Sequence, residues 1–252
     1  MIEVFILSII QGITEFLPIS SSSHLVIVSK YFNFENQSLS LDVSLHIGSF
    51  FAVLFYFKDE IFDFLENKDL LIKILISSFP VILVGYILVK FDLIDQIRNI
   101  KTIGWTTLIF GILLYFADRF KTIKNMENNF SYKKAIFVGI FQVFSLIPGV
   151  SRSGVTITAA RFLKFERVDS AKISFLMSIP TLAAVSFFGI YNLVESDDLI
   201  FSSINLLSVF LSFLFSLVTI KYFLKYIKNF SLNIFIVYRI LLGIIILFLS
   251  YL

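Results

Sequence analysis

Hydrophobic residues along this chain gather into runs of about 15 to 25 positions, the length a helix needs to cross a hydrocarbon core about 30 Å thick. Most charges sit in short polar bands between the runs. The runs and their breakers define ten segments, over residues 1–16, 19–32, 40–57, 71–89, 103–118, 133–147, 151–164, 171–190, 204–224 and 235–251. The period-two alternation of a membrane barrel is absent. The expected fold class is therefore an all-α polytopic membrane protein, with residues 1–252 forming one integral membrane domain. The first, second, sixth and seventh segments are short and are broken in pairs by Pro18 and Pro148. Proline lacks an amide hydrogen and its ring clashes with the preceding turn, so these pairs are expected to be re-entrant half-helices.

The same breaks expose an internal repeat. Gln11 falls on Gln142 and Ser20 on Ser151 at an offset of 131, and Pro18 falls on Pro148 and Ser44 on Ser174 at an offset of 130. Five segments lie in each half, about 1–125 and 130–252. If each half is a re-entrant hairpin plus three transmembrane helices, the odd number of crossings makes the halves run in opposite senses. That is an inverted-topology repeat, a plan that puts binding sites near the midplane where the broken helices meet. The basic residues give a topology test. Counting outward from the first hairpin, one side collects Lys30, Lys90, Arg98 and Lys101. The other collects 16, among them Arg119, Lys121, Lys124, Arg161, Arg167 and Arg239. The positive-inside rule then makes the second side cytoplasmic and puts both chain ends outside.

Composition narrows the classes further. Charged residues make up 15% of the chain, against about 25% in soluble domains, and the mean hydropathy is +0.91. Thirty-two phenylalanines suit a lipid-facing bundle. With no cysteine there is neither a disulfide framework nor a thiolate site. A net charge of +3 gives no sign of a nucleic-acid groove. The start, MIEVFILSII, has Glu3 where a secretory leader carries basic residues, so the first helix is expected to be retained.

Against this apolar background the stretch QGITEFLPISSSSH, residues 11–24, stands out. Gln11 and Glu15 are spaced i, i+4 and share a helical face. A carboxylate at membrane depth costs several kcal/mol unless paired, solvated or protonated, which makes Glu15 a functional candidate. The alternative is that it lies at an interface or caps a neighbouring helix. Ser20, Ser21 and Ser22 fall where hydroxyls cap free amides. Four serines ending in His24 at a helix start also offer amide hydrogens and a positive dipole end to a phosphate. His46 reads as a structural hydrogen-bonder.

The second half answers with PGVSRSGVTIT, residues 148–158. Ser151, Ser153 and Thr156 offer hydroxyls, and Gly154 permits a close backbone approach. Arg152 keeps its charge, its fork matches phosphate oxygens, and lipid is no place for it without an anion. That anion is either a ligand or Glu15 in a buried pair, and both readings hold if a ligand completes the cluster. A pocket of these groups with apolar walls suits a phosphate on a long hydrocarbon chain.

These two stretches resemble the two signatures of the bacterial undecaprenyl-pyrophosphate phosphatase family, and the similarity in spacing and hydropathy runs nearly end to end. Gln11 stands where many members have glutamate and Ser23 where glycine is common. The resemblance implies hydrolysis of undecaprenyl pyrophosphate to the monophosphate, which recycles the lipid carrier of cell-wall peptidoglycan synthesis and underlies bacitracin resistance. It also implies a multi-pass protein of the bacterial cytoplasmic (inner) membrane, an inverted-repeat fold with two re-entrant hairpins, and an active site facing the outside. Joined to the residues, it suggests Ser21 as nucleophile with His24 or Glu15 as base, a water activated by His24 being the alternative nucleophile. Arg152, with Gln11, Ser20, Ser22, Ser151, Ser153, Gly154 and Thr156, would bind phosphate. Family behaviour suggests a divalent cation, Mg or Ca, with Glu15 as its ligand. The rival function is a transporter or flippase of polyprenyl phosphate lipids, since inverted repeats and midplane charge also mark transporters. The gathering of Ser21, His24 and Glu15 beside Arg152 favours an enzyme, because transport needs no nucleophile and base.

Overall fold

In a lipid core every backbone amide must find its partner within the protein, and all ten apolar segments do so as helices. The computed structural model of the chain describes residues 2–32, 34, 38–66, 68–91, 93, 99–195 and 203–252. In chain order the helices are α1 (Ile2–Thr14), α2 (Ser21–Phe32), α3 (Leu39–Tyr56), α4 (Lys58–Glu66), α5 (Lys68–Lys90) and α6 (Ile100–Asp118). There follow α7 (Met126–Asn129), α8 (Tyr132–Val143), α9 (Arg152–Phe162), α10 (Arg167–Glu195), α11 (Ser203–Asn229) and α12 (Asn233–Tyr251). Side chains start several of them: Ser38 accepts from the Leu41 amide at the head of α3, and Asn99 from the Thr102 amide at the head of α6.

Among the described residues six helices, α3, α5, α6, α10, α11 and α12, are long and apolar enough to cross a membrane. α1, α2, α8 and α9 have 13, 12, 12 and 11 residues. At about 1.5 Å per residue such helices reach roughly 20 Å or less, short of a full crossing. Two helices lie outside the ten segments. α7 is a single turn, and α4 is nine residues with charges at more than half its positions, too polar to register as an apolar run. α4 is held to the bundle by Lys172 Nζ, 2.9 Å from Glu60 Oε1.

Packing is reciprocal between the two ends of the chain. α1 packs on α11 and α8 on α5, α3 meets α10 and α11, and α6 lies along α12. Between α3 and α11 the contact is made by small residues. Ser49 Oγ lies 3.2 and 3.0 Å from the hydroxyls of Ser212 and Ser216, and Ser212 Oγ donates to the Leu45 carbonyl at 2.7 Å. Small side chains and hydroxyl bonds are what associate helices in a solvent as apolar as themselves. Elsewhere α5 and α10 each contain a proline, Pro80 and Pro180. The Met177 carbonyl, one turn before Pro180 and Thr181, accepts from Thr181 Oγ1 at 2.6 Å and from Ser78 Oγ of α5 at 3.2 Å.

Two of the basic residues used to read topology are not loop charges. Arg161 and Arg239 are fully buried. Arg161 donates to the Asp118 and Phe120 carbonyls at 3.0 and 2.9 Å and to the Phe165 carbonyl. The Asp118 carboxylate also accepts from Arg167 at 2.7 and 3.0 Å and from the Leu232 amide at 3.2 Å. Arg161 is held by backbone carbonyls and the buried Asp118 carboxylate and Arg239 by backbone carbonyls, so neither is a loop charge for the topology count. Arg98 lies outside the described residues.

The α3–α11 contact makes a direct prediction. A Cβ on Gly48 would stand 2.4 Å from the Val209 carbonyl oxygen, with no flexible side chain to yield. Gly48→Ala should therefore destabilise the detergent-solubilised protein by about 1 to 3 kcal/mol, read as a lowered thermal unfolding midpoint. An unchanged midpoint would contradict this packing.

Candidate active site

The site is built where two helix pairs are interrupted. After α1 the chain turns through residues 15–20, with Pro18 in the turn, and restarts as α2. After α8 a 3-10 turn, Phe144–Leu146, leads through Pro148 and Gly149 (φ 93°) to the start of α9. Each break ends on a serine in the left-handed region, Ser20 (φ 75°) and Ser151 (φ 70°). Such backbone costs about 1 to 3 kcal/mol per residue and persists only where its surroundings enforce it. Ser151 then caps α9, its Oγ accepting from the Gly154 amide at 3.1 Å. Ser20 Oγ bonds Ser23 Oγ at 2.9 Å.

Three contacts lock the breaks together. Arg152 Nη2 donates to Glu15 Oε1 at 2.7 Å, with both side chains nearly buried. Ser153 Oγ donates to the Leu17 carbonyl at 2.7 Å. Arg239 of α12 lies behind both turns and donates to the carbonyls of Pro18 (3.3 Å), Gly149 (3.1 Å) and Val150 (2.9 Å). In sequence Arg239 had looked like a topology charge, although a cation inside the apolar run 235–251 was itself a signal of function.

Between the turns lies a cavity of about 190 Å³ lined by Glu15, Ser20, Ser21, Ser22, Ser151 and Arg152. Glu15 is its centre. Oε2 accepts from Ser21 Oγ at 2.7 Å and from Gln11 Nε2 at 3.2 Å, while Oε1 holds Arg152. Gln11 thus supports Glu15 from within the protein. Ser145, Thr181 and His46 also line the cavity, and sequence reasoning named none of them for it. His46 does make the structural bond expected of it, from Nδ1 to the Asp42 carbonyl at 2.8 Å.

Four other candidates serve the walls. Thr156 Oγ1 bonds Ser174 Oγ at 2.7 Å and the Arg152 carbonyl at 2.8 Å. Ser153 is committed to Leu17. Gly154 does permit a close approach, but by Arg239: a Cβ there would meet Nη1 at 2.5 Å. His24 is turned toward α12. Its Nδ1 lies 2.6 Å from the Ser20 carbonyl, which only accepts, so that nitrogen carries the proton. Its Nε2 is engaged by the Tyr238 hydroxyl at 2.5 Å, with the two rings stacked. In this arrangement Glu15, not His24, touches the Ser21 hydroxyl.

The donor set sets the terms for a divalent cation. Glu15 is the carboxylate of the cavity, with three donors already on its roughly four lone-pair sites. Among the described residues no three His, Cys, Asp or Glu gather to cage a metal. Magnesium-type ions take one or two carboxylates and complete their shell with substrate phosphates and water. The residues fit an ion shared with a phosphate ligand.

Fold and site together define an all-α, multi-pass membrane protein with a pocket that pairs a hydroxyl–carboxylate couple with an arginine. The chain matches the family described as "Bacitracin resistance protein BacA" over residues 4–245, and it belongs to that family. Among its relatives, the "Undecaprenyl-diphosphatase" of Pelagibacter ubique (strain HTCC1062) is 49% identical over 252 residues, covering 99% of this chain and 98% of the relative. The "Undecaprenyl-diphosphatase" of Jannaschia sp. (strain CCS1) is 36% identical over 260 residues, covering 98% and 97%.

Arg239 gives the test of this architecture. Arg239→Met leaves the carbonyls of Pro18, Gly149 and Val150 without their donor, and buried acceptors left unpaired cost about 1 to 3 kcal/mol each. The unfolding midpoint in detergent should fall well below wild type. Arg239→Lys should recover only part of the loss, because an ammonium cannot reproduce the guanidinium fork. A midpoint equal to wild type in Arg239→Met would contradict the clamp.

Proposed function

We propose that this chain hydrolyses undecaprenyl pyrophosphate to undecaprenyl phosphate and inorganic phosphate in the Glu15–Arg152 cavity, returning the lipid carrier to cell-wall synthesis. The observation that carries the site assignment is Glu15, gripped at once by the Ser21 hydroxyl and the Arg152 guanidinium. A nucleophile, its base and a phosphate-binding cation are thereby joined through one side chain. The activity rests on end-to-end similarity to relatives named for it. The lipid transporter has no comparable support.

In the mechanism, Glu15 takes the Ser21 proton as Oγ attacks the terminal phosphorus. The bond from that phosphorus to the bridging oxygen breaks, undecaprenyl phosphate leaves, and a phosphoserine remains for water to hydrolyse. Arg152 exchanges Glu15 for the phosphate oxygens and stabilises the charge spreading over them. Ser20, Ser22 and Ser151, with the free amides opening α2 and α9, complete the anion cradle. A divalent cation held by Glu15 and the substrate's own phosphates would supply further charge neutralisation.

The architecture belongs to the same proposal. Residues 1–125 and 130–252 form two halves of an inverted repeat, with α1–α2 and α8–α9 as re-entrant hairpins. The short lengths of these helices, the matched left-handed serines and the reciprocal packing of α1 on α11 and α8 on α5 support it. With Arg161 and Arg239 removed from the count, the basic bias still favours both chain ends outside, and the similarity to bacterial relatives supports an inner-membrane protein whose site faces outward.

The test is phosphate release from undecaprenyl pyrophosphate by purified protein, with and without chelator. Arg152→Ala should lose about a hundredfold or more of turnover while staying folded. Ser21→Ala should fall as far, and a chelator should abolish release if the shared ion is required. Near wild-type turnover in Ser21→Ala with His24→Ala inactive would overturn the serine nucleophile. No release by folded wild type, with metal supplied and detergents varied, would overturn the hydrolase reading.

A further inference from the structure

The two histidines of this chain use one local device with different results. Each directs Nδ1 at the carbonyl four residues earlier, His24 at Ser20 and His46 at Asp42. A carbonyl only accepts, so both rings are fixed with Nδ1 protonated and Nε2 pointing away from their own helix turn. For His24 the second nitrogen is consumed by Tyr238. For His46 it has no hydrogen-bond partner among the described residues and is not one of the sealed polar atoms. His46 also lines the cavity that holds Glu15, Ser21 and Arg152.

A histidine fixed at one nitrogen and open at the other is pre-organised for a ligand. The ligand chemistry follows from the neighbours. The cavity's other polar contributors are hydroxyls, a guanidinium and a carboxylate that already accepts three hydrogen bonds, so the incoming groups that suit it are phosphate oxygens. His46 also comes from α3, an element that neither sequence signature contains.

We propose that His46 is a phosphate-contacting residue of this site, its Nε2 meeting the non-bridging oxygens of the pyrophosphate alongside Arg152. The inference rests on the hydrolase reading above. With Nδ1–H held by the Asp42 carbonyl, Nε2 is the edge left for the head group, as a donor to a phosphate oxygen from the doubly protonated ring or as an acceptor from a phosphate hydroxyl. Because the contact forms on binding and persists through the reaction, it acts on substrate affinity more than on turnover.

The experiment is steady-state phosphate release by detergent-purified wild type, His46→Ala and His46→Gln, with inorganic pyrophosphate as a competing probe. His46→Ala should raise KM about tenfold or more, the loss expected for one hydrogen bond to a charged group. It should weaken inhibition by pyrophosphate in parallel, with a much smaller change in kcat. His46→Gln, whose amide nitrogen reaches a similar position, should recover most of the affinity. A KM for His46→Ala equal to wild type would overturn the inference and leave the hydrolase reading intact. Equal impairment in both variants would overturn it too, because a packing role alone would then suffice. Failure of wild type to release phosphate would instead sink the reading on which it depends.

Discussion

The Glu15–Arg152 pair is the interaction on which this molecule turns. The two residues are 137 positions apart, one in each interrupted helix pair, and both are largely withdrawn from solvent. Either charge alone at that depth would cost several kcal/mol. Together, with Ser21 and Gln11 on the remaining carboxylate oxygen, they satisfy one another. The same pairing that makes the charges tolerable brings the serine of one break to the arginine of the other. In the proposed mechanism stability and chemistry share a single contact, and a ligand that draws Arg152 away from Glu15 must replace the carboxylate with its own negative charge.

The surroundings hold that contact in place. Prolines mark the breaks, left-handed serines restart the helices, and the first residues of α2 and α9 line a common cavity. Arg239 fixes the backs of both turns through their carbonyls, and Ser153 ties one turn to the other. Around this centre the six long helices pack through glycine and serine and turn phenylalanine, leucine and isoleucine outward. That division is expected of a protein whose solvent is lipid, where close backbone approach and internal hydrogen bonds replace hydrophobic burial as the source of association.

Much of this was legible in the sequence because it rests on local signals. Apolar runs located all ten major helices, and two prolines located the breaks. Charge in an apolar setting singled out Glu15 and Arg152, which meet as the buried pair considered in advance. What was missed depends on tertiary neighbours. Ser153, Gly154 and Thr156 have the chemistry of phosphate ligands, yet the structure uses them to join turns, admit Arg239 and reach Ser174. Arg161 and Arg239 looked like loop charges because a one-dimensional count cannot tell a cation in a band from one facing inward. His46 looked structural, and its Nδ1 is; only the fold reveals that the residue also lines the cavity. The side on which His24 spends its second nitrogen was likewise set by Tyr238, more than 200 positions away.

The most direct test of the central claim is a double-mutant cycle on the pair, using Glu15→Gln, Arg152→Gln and the double variant, with thermal unfolding of the purified protein as the readout. If the buried pair couples the two breaks, each single variant strands the other charge and the double variant is less destabilised than the sum of the two. The coupling should exceed about 1 kcal/mol. Additivity within roughly 0.5 kcal/mol would mean that Glu15 and Arg152 do not depend on one another, and the account of how this site is assembled would be wrong.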